Sequence, residues 1–411
     1  MWPLAVMKPK HLLPVAGRPI ISYMLEALAN NSVRDVYMVV GFKSDKIESA
    51  LGDGSSYGLH ITYLKQRRWT GTASALRVAY DSIGVETFLA LYGDLWVTPS
   101  AIQAVVEKAQ ECSKVVGVVQ VPNPSEFGLI ELRGEKLVRI IEKPKSKQEE
   151  GWVNAGIYVL DQEVLEALGR TRASKRAEYE LTTSLQQLLD EGKEIRGAII
   201  AREDWMDIGR PWDLLEANER VLVNLSHRVN GTVEPGATLK GPVWVEENAL
   251  IRSGTYIEGP AYIGKESKVG PNARIRPCTS LGTNVVVGTS CEVKNSIIMN
   301  GTKVPHLSYV GDSIIGENCN IAAGTITANI RFDEKVINIP VKGRLQSTRR
   351  NKLGVIMGDE VRTGINSSFM PGVRIGSGAH IGPGMVLFRD VAAGQMILAK
   401  QTLLTKRLGK R

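Results

Sequence analysis

Residues 257–299 read IEGPAYIGKESKVGPNARIRPCTSLGTNVVVGTSCEVKNSIIM, and every sixth residue from Ile257 is Val, Ile, Leu or Met. The series extends back to Val233 in unbroken steps of six. Because about 0.3 of the chain is made of these residue types, such a run has a chance probability of about 10⁻⁶ and marks an internal repeat. Six-residue repeats with an inward apolar residue and Gly, Asn or Ser at the turns are typical of a parallel β-helix.

The repeat is interrupted twice. The step of six stops after Met299, returns at Ile315, and stops again between Thr327 and Val355. Neither the interval from Met299 to Ile315 nor that from Thr327 to Val355 is a multiple of six. We therefore predict that each contains an excursion from the coil, and excursions from a rigid scaffold often carry function. The first interval includes PHLSY at 305–309.

The first half of the chain has a different pattern, in which helical and strand periodicities alternate. Short apolar runs at 36–40, 88–92 and 115–121 lie between stretches with helical spacing. This order predicts an α/β, Rossmann-like domain with a mostly parallel sheet, whose ligands bind at the carboxyl ends of the strands. The predicted segments are 1–225 (α/β domain), 226–232 (linker), 233–395 (β-helix) and 396–411 (basic tail).

Composition narrows the classes of protein to consider. The 411 residues include 41 glycines, and 43% are hydrophobic and 23% charged, as in a turn-rich protein of two globular domains. No apolar run approaches the length of about 18 residues that a membrane span needs, and the start does not resemble a leader peptide, so we expect a cytoplasmic protein with no membrane partner. The net charge of +8 fits anionic ligands, but no nucleic-acid-binding motif is present, so none is expected as partner. The four cysteines form no CxxC pair, which favours reduced thiols.

Seven short motifs form an ordered series in the first half. They are KPKHLLPVAGRP (8–19), GTA (71–73), YGD (92–94), FG (127–128), IEKP (141–144), NAG (154–156) and WMDIG (205–209). Together they resemble the sugar-1-phosphate nucleotidylyltransferases over nearly all of residues 1–215. The resemblance implies attack of a sugar-1-phosphate on the α-phosphorus of UTP or dTTP, which releases pyrophosphate and forms a UDP- or dTDP-sugar. Such a displacement depends on charge neutralisation by Mg²⁺ and lysines.

The same resemblance assigns roles to residues of the α/β domain. Asp94 and Asp207 would bind Mg²⁺, a hard ion that prefers oxygen ligands, and Lys10 would contact phosphate. The residues expected to line the nucleotide base are Gly71 and Thr72, and those expected to hold the sugar are Gly128, Glu142 and Asn154.

The start of the chain departs from this family. There a first strand and a Gly-rich loop ending in Gly-Thr-Arg precede the Pro-Lys-Leu-Leu-Pro element, whereas this sequence begins with MWPL at 1–4. Backbone amides of such a loop hold the triphosphate. We therefore expect nucleotidyl transfer only from a chain whose start includes this loop.

The second half carries a further ordered set, VPHLSYVGD (304–312), IGE (315–317) and NIAAGTITAN (320–329). It resembles the acetyltransferase domain of the bifunctional glucosamine-1-phosphate acetyltransferase and N-acetylglucosamine-1-phosphate uridylyltransferase family, of the archaeal type. The resemblance implies a left-handed β-helix that transfers acetyl from acetyl-CoA to the 2-amine of a hexosamine-1-phosphate, with glucosamine-1-phosphate the first choice. Proteins of this type are generally homotrimers with the acetyl-CoA site between neighbouring subunits.

An amine must be unprotonated to attack a thioester, so a base with a near-neutral pKa is required, and we predict that His306 is this catalytic base. The residues that the resemblance assigns to substrates are Arg276, Lys294 and Lys335 (phosphate), Tyr309, Asn320 and Asn329 (sugar), and Ala323 and Ile365 (acetyl-CoA). The basic run at 342–352 either attracts the phosphates of CoA or forms a solvated loop face.

Two other functions remain open. Translation-factor exchange subunits combine similar domains without sugar chemistry, so a regulatory or scaffold protein is one alternative, although such a protein has no need of a base at PHLSY. A monofunctional sugar-1-phosphate pyrophosphorylase, whose β-helix serves only assembly or regulation, is the other. Glucosamine and galactosamine both remain open as acceptor.

Overall fold

The computed structural model describes residues 1–68, 70–80, 82, 84, 86–124, 127–142, 149–171, 178–341 and 343–406. The chain divides into two compact units. The α/β unit comprises Lys8–Leu12 and Pro19–Gly209, and the β-helix unit comprises Met1–Met7, Leu13–Arg18 and Arg210–Arg411. The change between units at residue 210 falls inside the segment predicted as the first domain. Within the described ranges, no helix has both the length and the apolar character to cross a membrane.

Short helices and strands alternate in the chain up to Gly209. The helices are α1 (Ile20–Asn30), α2 (Ser44–Leu51), α3 (Thr72–Tyr80), α4 (Pro99–Lys108), α5 (Gln162–Arg170) and α6 (Leu181–Asp190). The strands are β1 (Pro14–Val15), β2 (Arg18–Pro19), β3 (Asp35–Val40), β4 (His60–Lys65), β5 (Thr87–Leu91), β6 (Leu95–Val97), β7 (Val115–Pro122), β8 (Gly128–Arg133), β9 (Lys136–Glu142), β10 (Glu150–Asp161), β11 (Arg196–Ile199) and β12 (Trp205–Asp207).

A mixed sheet in the order β5-β10-β7-β11-β9-β8 lies at the centre of the α/β unit. Parallel pairs join β7 to β11 and, in a separate sheet, β3 to β4. The long strand β10 runs antiparallel to both β5 and β7. Val115 and Val119 of β7 pack in one apolar cluster with residues of α4, and Val116 and Val118 pack in another with residues of α5 and α6. Helices therefore cover both faces of the sheet, which confirms the predicted α/β class, but most pairings between the described strands of this sheet are antiparallel rather than parallel as predicted.

The β-helix unit stacks short parallel strands on three faces. The first face contains β13 (Arg228–Val229), β16 (Val243–Val245), β19 (Ala261–Ile263), β22 (Thr279–Leu281), β25 (Ile297–Ile298), β28 (Ile314–Ile315), β32 (Ile356–Met357) and β35 (Arg374–Ile375). The second contains β14 (Thr232–Val233), β17 (Leu250–Ile251), β20 (Lys268–Val269), β23 (Val286–Thr289), β26 (Lys303–His306), β33 (Arg362–Thr363), β36 (His380–Ile381) and β38 (Met396–Ile397). The third contains β15 (Thr238–Lys240), β18 (Tyr256–Glu258), β21 (Arg274–Ile275), β24 (Glu292–Lys294), β27 (Tyr309–Gly311), β29 (Ile326–Thr327), β34 (Ser368–Phe369) and β37 (Val386–Leu387).

The six-residue repeat explains this stack. Thr238 pairs with Tyr256, which lies three repeats further along the chain, so three repeats complete one coil. The aliphatic residue of each repeat points inward and packs in one continuous apolar cluster. At a corner, Asn272 has a φ of 53°, a left-handed conformation that Asn tolerates better than most residues. A β-carbon on Gly254 would clash with the Asn272 side chain, so this turn requires glycine. The predicted hexapeptide β-helix is confirmed.

The first interruption of the repeat is not an excursion, and that prediction is wrong. Val293 pairs with Val310, which falls one position short of three full repeats, so the coil is shortened here. The inward positions are Val293 and Ile298, then Val304, Val310 and Ile315, all fully buried. The corner before Ile298 and the corner before Ile315 are each one residue shorter than in the regular repeat. Counting in steps of six through Met299 does not detect this shift.

The second interruption is an excursion, as predicted. Ile314 pairs with Ile356 rather than with a residue one coil away. The intervening chain leaves the stack and forms the antiparallel hairpin of β30 (Asn338–Val341) and β31 (Arg344–Ser347).

Helix α7 (Asp213–Val223) belongs to the β-helix unit and is anchored there by Asn218. The fully buried side chain of Asn218 donates from Nδ2 to the Cys278 carbonyl at 2.9 Å. Its Oδ1 accepts from the Ala16 amide at 2.9 Å and from the Ser280 hydroxyl at 2.6 Å. One amide thus ties the helix to both a corner of the coil and the 13–18 segment.

We expect Asn218→Ala to lower the free energy of unfolding of the β-helix unit by about 3 kcal/mol, because it leaves a buried N–H and a buried carbonyl without partners. Urea denaturation followed by circular dichroism measures this change. Asn224→Ala is the matched control, since Asn224 is exposed at the end of the same helix. Equal unfolding midpoints for the two variants would show that Asn218 is not an anchor.

Candidate active sites

The two acidic residues predicted to bind a metal lie on neighbouring strands of the α/β unit. Asp207 ends β12 opposite Leu95 of antiparallel β6, and the Ile208 amide donates to the Asp94 carbonyl at 3.1 Å. Lys10, in a 3₁₀ turn at Lys10–Leu12, forms an ion pair with Asp94. The structure therefore brings the predicted phosphate-binding lysine and both predicted metal ligands to one place.

These residues fit a bound Mg²⁺. The ion commonly takes one or two protein carboxylates and completes its coordination with water and phosphate oxygens. Asp94 and Asp207 supply two carboxylates, while no group of three or more His, Cys, Asp or Glu side chains able to hold a metal occurs in the described ranges. A metal at this position would therefore share its coordination with a substrate phosphate.

His11 lies beside the same carboxylate and was missed in the sequence. Burial lowers the pKa of His11, an effect that the charge of Asp94 opposes and that of Lys10 reinforces. The ring lies beside Gly93, 3.5 Å from the position that a β-carbon would occupy there. The sequence feature that could have identified His11 is its position next to Lys10 in KPKHLLPV.

Gly71 and Thr72, predicted to line the nucleotide base, are tied to the start of α6. Gly71 has a φ of +119°, and a β-carbon there would clash with the Tyr179 carbonyl oxygen. The Leu181 amide donates to the Thr72 hydroxyl at 3.0 Å. These contacts explain why glycine and threonine suit the start of α3, and the assignment to the base stays a prediction.

The residues predicted to hold the sugar lie on three neighbouring strands. Gly128 of β8 pairs with Glu142 of β9, whose side chain lies outside the described residues. Asn154 lies on β10, which also pairs with β8. Its Nδ2 donates to the Tyr158 hydroxyl at 2.7 Å and its Oδ1 accepts from the Gly156 amide at 3.0 Å. Both ends of the Asn154 amide are therefore oriented.

A polar cluster occupies one corner of the β-helix and contains several residues predicted to bind the sugar phosphate. Asn329 donates to the Tyr309 hydroxyl at 3.3 Å and also to the Asp312 carboxylate. Lys294 forms an ion pair with the same carboxylate at 3.1 Å. We call Arg276, Glu292, Lys294, Asn295, Tyr309, Asp312 and Asn329 the corner cluster.

Arg276 joins this cluster through Glu292, which it contacts at 3.0 Å and which lies opposite Tyr309 in paired strands β24 and β27. Burial raises the pKa of Tyr309, the charges of Asp312 and Glu292 raise it further, and that of Arg276 opposes them. The Tyr309 hydroxyl therefore stays protonated at neutral pH and can donate a hydrogen bond to a sugar oxygen.

The predicted base, His306, ends β26 and is exposed. It precedes Tyr309 by three residues, which span at most about 10 Å. Asn320 is also exposed and forms an isolated β-bridge with Lys303, which lies on the same strand as His306. Lys335 is exposed in the excursion, where its amide donates to Asp333 at 3.3 Å. Among the described residues, none of these three side chains donates to or accepts from the corner cluster, so they are not part of it.

Ala323 and Ile365, predicted to contact acetyl-CoA, lie on successive coils. The Asn366 amide donates to the Ala323 carbonyl at 2.8 Å, and Ile365 is 56% exposed. In the nearby basic run, Arg350 turns inward and pairs with Glu219 of α7. Lys342 lies outside the described residues. Arg350 is thus a structural ion pair, whereas Arg344 and Arg349 are exposed.

The main residues missed in the sequence are the carboxylates that hold the predicted cations. Asp312 lies within the quoted VPHLSYVGD motif, but the motif alone does not show its partners. Glu219 lies in a helix outside the repeat, and its contact with Arg350 spans 131 positions of sequence. Such long-range pairing carries no local signal.

The comparisons with known proteins cover nearly the whole chain. The nucleotidyl transferase family model matches residues 1–224, and the model named GMPPB C-terminal domain matches residues 257–367. A protein of Methanocaldococcus jannaschii named "Bifunctional protein GlmU" is 40% identical over 408 residues, which are 99% of this chain and 96% of that protein. A protein of Sulfurisphaera tokodaii named "Bifunctional sugar-1-phosphate nucleotidylyltransferase/acetyltransferase" is 40% identical over 397 residues, 96% of this chain and 95% of that protein.

A third relative shares less of the chain. The glucose-1-phosphate thymidylyltransferase of Streptomyces griseus is 32% identical over 322 residues, 78% of this chain and 90% of that protein. The relatives named as bifunctional extend through the β-helix unit and match at higher identity. From the ordered motifs, the two folds and these matches, the chain belongs to the family of bifunctional GlmU-type enzymes, which join a sugar-1-phosphate nucleotidylyltransferase to an acetyltransferase.

Proposed function

We propose that the β-helix unit transfers acetyl from acetyl-CoA to the 2-amine of a hexosamine-1-phosphate, with glucosamine-1-phosphate as the preferred acceptor. The observation that carries this proposal is the corner cluster. Two cations, a protonated phenol and an oriented amide come from separate coils and meet at one corner, and the phenol belongs to Tyr309, three residues after His306. This set matches a ligand with one phosphate and several hydroxyls.

His306 acts as general base in the proposed reaction. Its imidazole takes a proton from the 2-amine as the nitrogen attacks the thioester carbonyl, so that the C–N bond forms and the C–S bond breaks. The departing CoA sulfur leaves as thiolate and takes up a proton. The exposed position of His306 lets a substrate approach the ring, and Arg276 and Lys294 hold the acceptor phosphate at the adjacent corner.

In a chain whose start includes the Gly-rich loop, the α/β unit is proposed to transfer a nucleotidyl group from UTP or dTTP to the resulting sugar-1-phosphate. Mg²⁺ held by Asp94 and Asp207 would neutralise phosphate charge and orient the phosphates. Lys10, already opposite Asp94, adds a further positive charge for the phosphate. Asn154 presents an oriented amide to the sugar, with Gly128 and Glu142 on adjacent strands.

The proposed assembly is a homotrimer. Phe332 is fully exposed and Leu345 is 74% exposed in the single chain, both in the excursion from the coil. Large apolar side chains on one projecting segment suit burial against a neighbouring copy. Size-exclusion chromatography with light scattering should give three chains of 44.9 kDa, about 135 kDa, and a mass of one chain would contradict the trimer.

Release of free thiol from acetyl-CoA tests the acetyl transfer. We expect thiol release with glucosamine-1-phosphate and much slower release with glucosamine, because the free sugar lacks the phosphate that Arg276 and Lys294 would bind. Galactosamine-1-phosphate tests the orientation of the hydroxyls. Equal rates with and without the acceptor phosphate would contradict the proposed role of the corner cluster.

A further inference from the structure

Asp312 is the most connected residue of the corner cluster. It follows β27, and its side chain is 2% exposed. One carboxylate oxygen accepts from Asn295 Nδ2 at 2.8 Å. The other accepts from Lys294 Nζ at 3.1 Å and from Asn329 Nδ2. Residues that belong to different coils are thus joined through one buried carboxylate.

We propose that Asp312 is a positioning residue for the acceptor, which acts by fixing Lys294 and Asn329 in the geometry that binds the sugar phosphate. This inference rests on the proposed acetyl transfer. A lysine ammonium has three N–H donors, so a bond to Asp312 leaves two for phosphate. The Asn329 amide uses both of its N–H donors, on Asp312 and on Tyr309, and its Oδ1 can still accept from a sugar hydroxyl. Asp312 therefore restricts these side chains without blocking them.

The position of Asp312 is itself fixed from helix α7. Asn295 donates from Nδ2 both to Asp312 and, at 2.9 Å, to Glu219 Oε1. Glu219 in turn pairs with Arg350, which returns from the excursion. A flipped Asn295 amide would set its oxygen against two carboxylates, so this network favours one orientation. The chain of contacts extends from α7 to the residues that face the acceptor.

A purely structural role would leave a different pattern of contacts. The backbone of Asp312 is satisfied by the neighbouring coils, since its amide donates to the Lys294 carbonyl and its carbonyl accepts from the Gly354 amide, each at 2.8 Å. All hydrogen bonds that the described residues make to its carboxylate come from side chains. The stacking of the coils therefore does not depend on the negative charge of the Asp312 carboxylate. The orientation of Lys294 does depend on it.

The test compares Asp312→Asn with the wild-type chain in steady-state acetyl transfer. Asn has the same shape but cannot accept from the lysine and the amides in the same way. We expect the KM for glucosamine-1-phosphate to rise about tenfold, as for the loss of one aligned charged contact, while the KM for acetyl-CoA changes less than twofold. Removal of the Asp312 charge also leaves more net positive charge for the acceptor phosphate. If this effect outweighed the lost alignment of Lys294 and Asn329, the KM for glucosamine-1-phosphate would fall, and that result would overturn the proposal.

Asp359→Asn is the matched control, since Asp359 is also buried at a corner but accepts from a backbone amide, that of Glu317, at 2.9 Å. We expect it to lower the melting temperature and leave the acceptor KM unchanged. An increase in both substrate KM values in Asp312→Asn, or the same increase in both variants, would show that Asp312 is only structural.

Two further variants keep the proposal testable. In a Lys294→Met background, Asp312→Asn should raise the acceptor KM by less than it does in the wild-type chain, because the contact with Lys294 is already lost and only that with Asn329 remains. If Asp312→Asn does not fold, Glu219→Gln on the surface of α7 should still raise the acceptor KM two- to threefold, and an unchanged value would overturn the inference. A wild-type chain that releases no thiol would instead contradict the proposed function.

Discussion

Replacement of His306 by alanine is expected to lower kcat for acetyl transfer by about 10²- to 10⁴-fold, the usual contribution of a general base. The 2-amine of the acceptor is largely protonated at neutral pH and cannot attack a thioester until a base removes its proton. His306 ends β26 in an exposed position three residues before Tyr309 of the corner cluster. The KM values should change little, because His306 contributes to reaction rather than to phosphate binding.

His380→Ala is the matched control for this variant. His380 is exposed at the start of β36, on the same face of the β-helix as His306 but on a later coil. Thiol release, measured at saturating acetyl-CoA and glucosamine-1-phosphate, should be unchanged in His380→Ala. If His306→Ala retained the wild-type rate, another residue would have to act as base.

In a chain whose start includes the Gly-rich loop, replacement of Asp94 by asparagine is expected to lower nucleotidyl transfer by about 10²- to 10³-fold, because charge stabilisation by a bound metal contributes several kcal/mol to such reactions. The variant leaves Asp207 as the only one of the two predicted metal-binding carboxylates, since Asp94 immediately precedes β6 and Asp207 ends the paired strand β12. Pyrophosphate release from UTP or dTTP measures the reaction. Acetyl transfer should be unchanged, since the corner cluster contains neither Asp94 nor Asp207.

Metal binding gives a readout for Asp94 that does not depend on turnover. Mn²⁺, followed by electron paramagnetic resonance, should bind at least tenfold more weakly to Asp94→Asn and to Asp207→Asn than to the wild-type chain. Asp53→Asn is a suitable control, because Asp53 is exposed and its carboxylate accepts from Ser55. Equal Mn²⁺ affinity in all four proteins would show that Asp94 and Asp207 do not hold the metal.

The β-helix could be predicted because each repeat must bury one aliphatic residue, and this requirement leaves a period in the sequence. The shortened corners could not be located in the same way. Ile297, Ile298 and Met299 are all buried, so a step of six lands on an apolar residue whether or not the coil has lost one position. Only the pairing of Leu281 with Ile298 shows which residue continues the stack.

Other features depend on contacts between distant residues. The periodicity of α7 indicates a helix, but the buried contacts of Asn218 with Ala16 and Ser280 decide which unit it joins. The antiparallel direction of β10 also leaves no local signal. In the β-helix site, the family resemblance identified the cations Arg276 and Lys294, but it assigned no role to the carboxylates that they contact, Glu292 and Asp312.

In the proposed function, the β-helix unit places acetyl on the nitrogen of a hexosamine-1-phosphate. Incubation of the full chain with glucosamine-1-phosphate and acetyl-CoA labelled with ¹³C in the acetyl group, followed by NMR spectroscopy, traces the acetyl group in this claim. The label should move to an amide carbonyl on the sugar as free CoA accumulates. Label that stays on CoA, or that appears only as acetate, would contradict the claim.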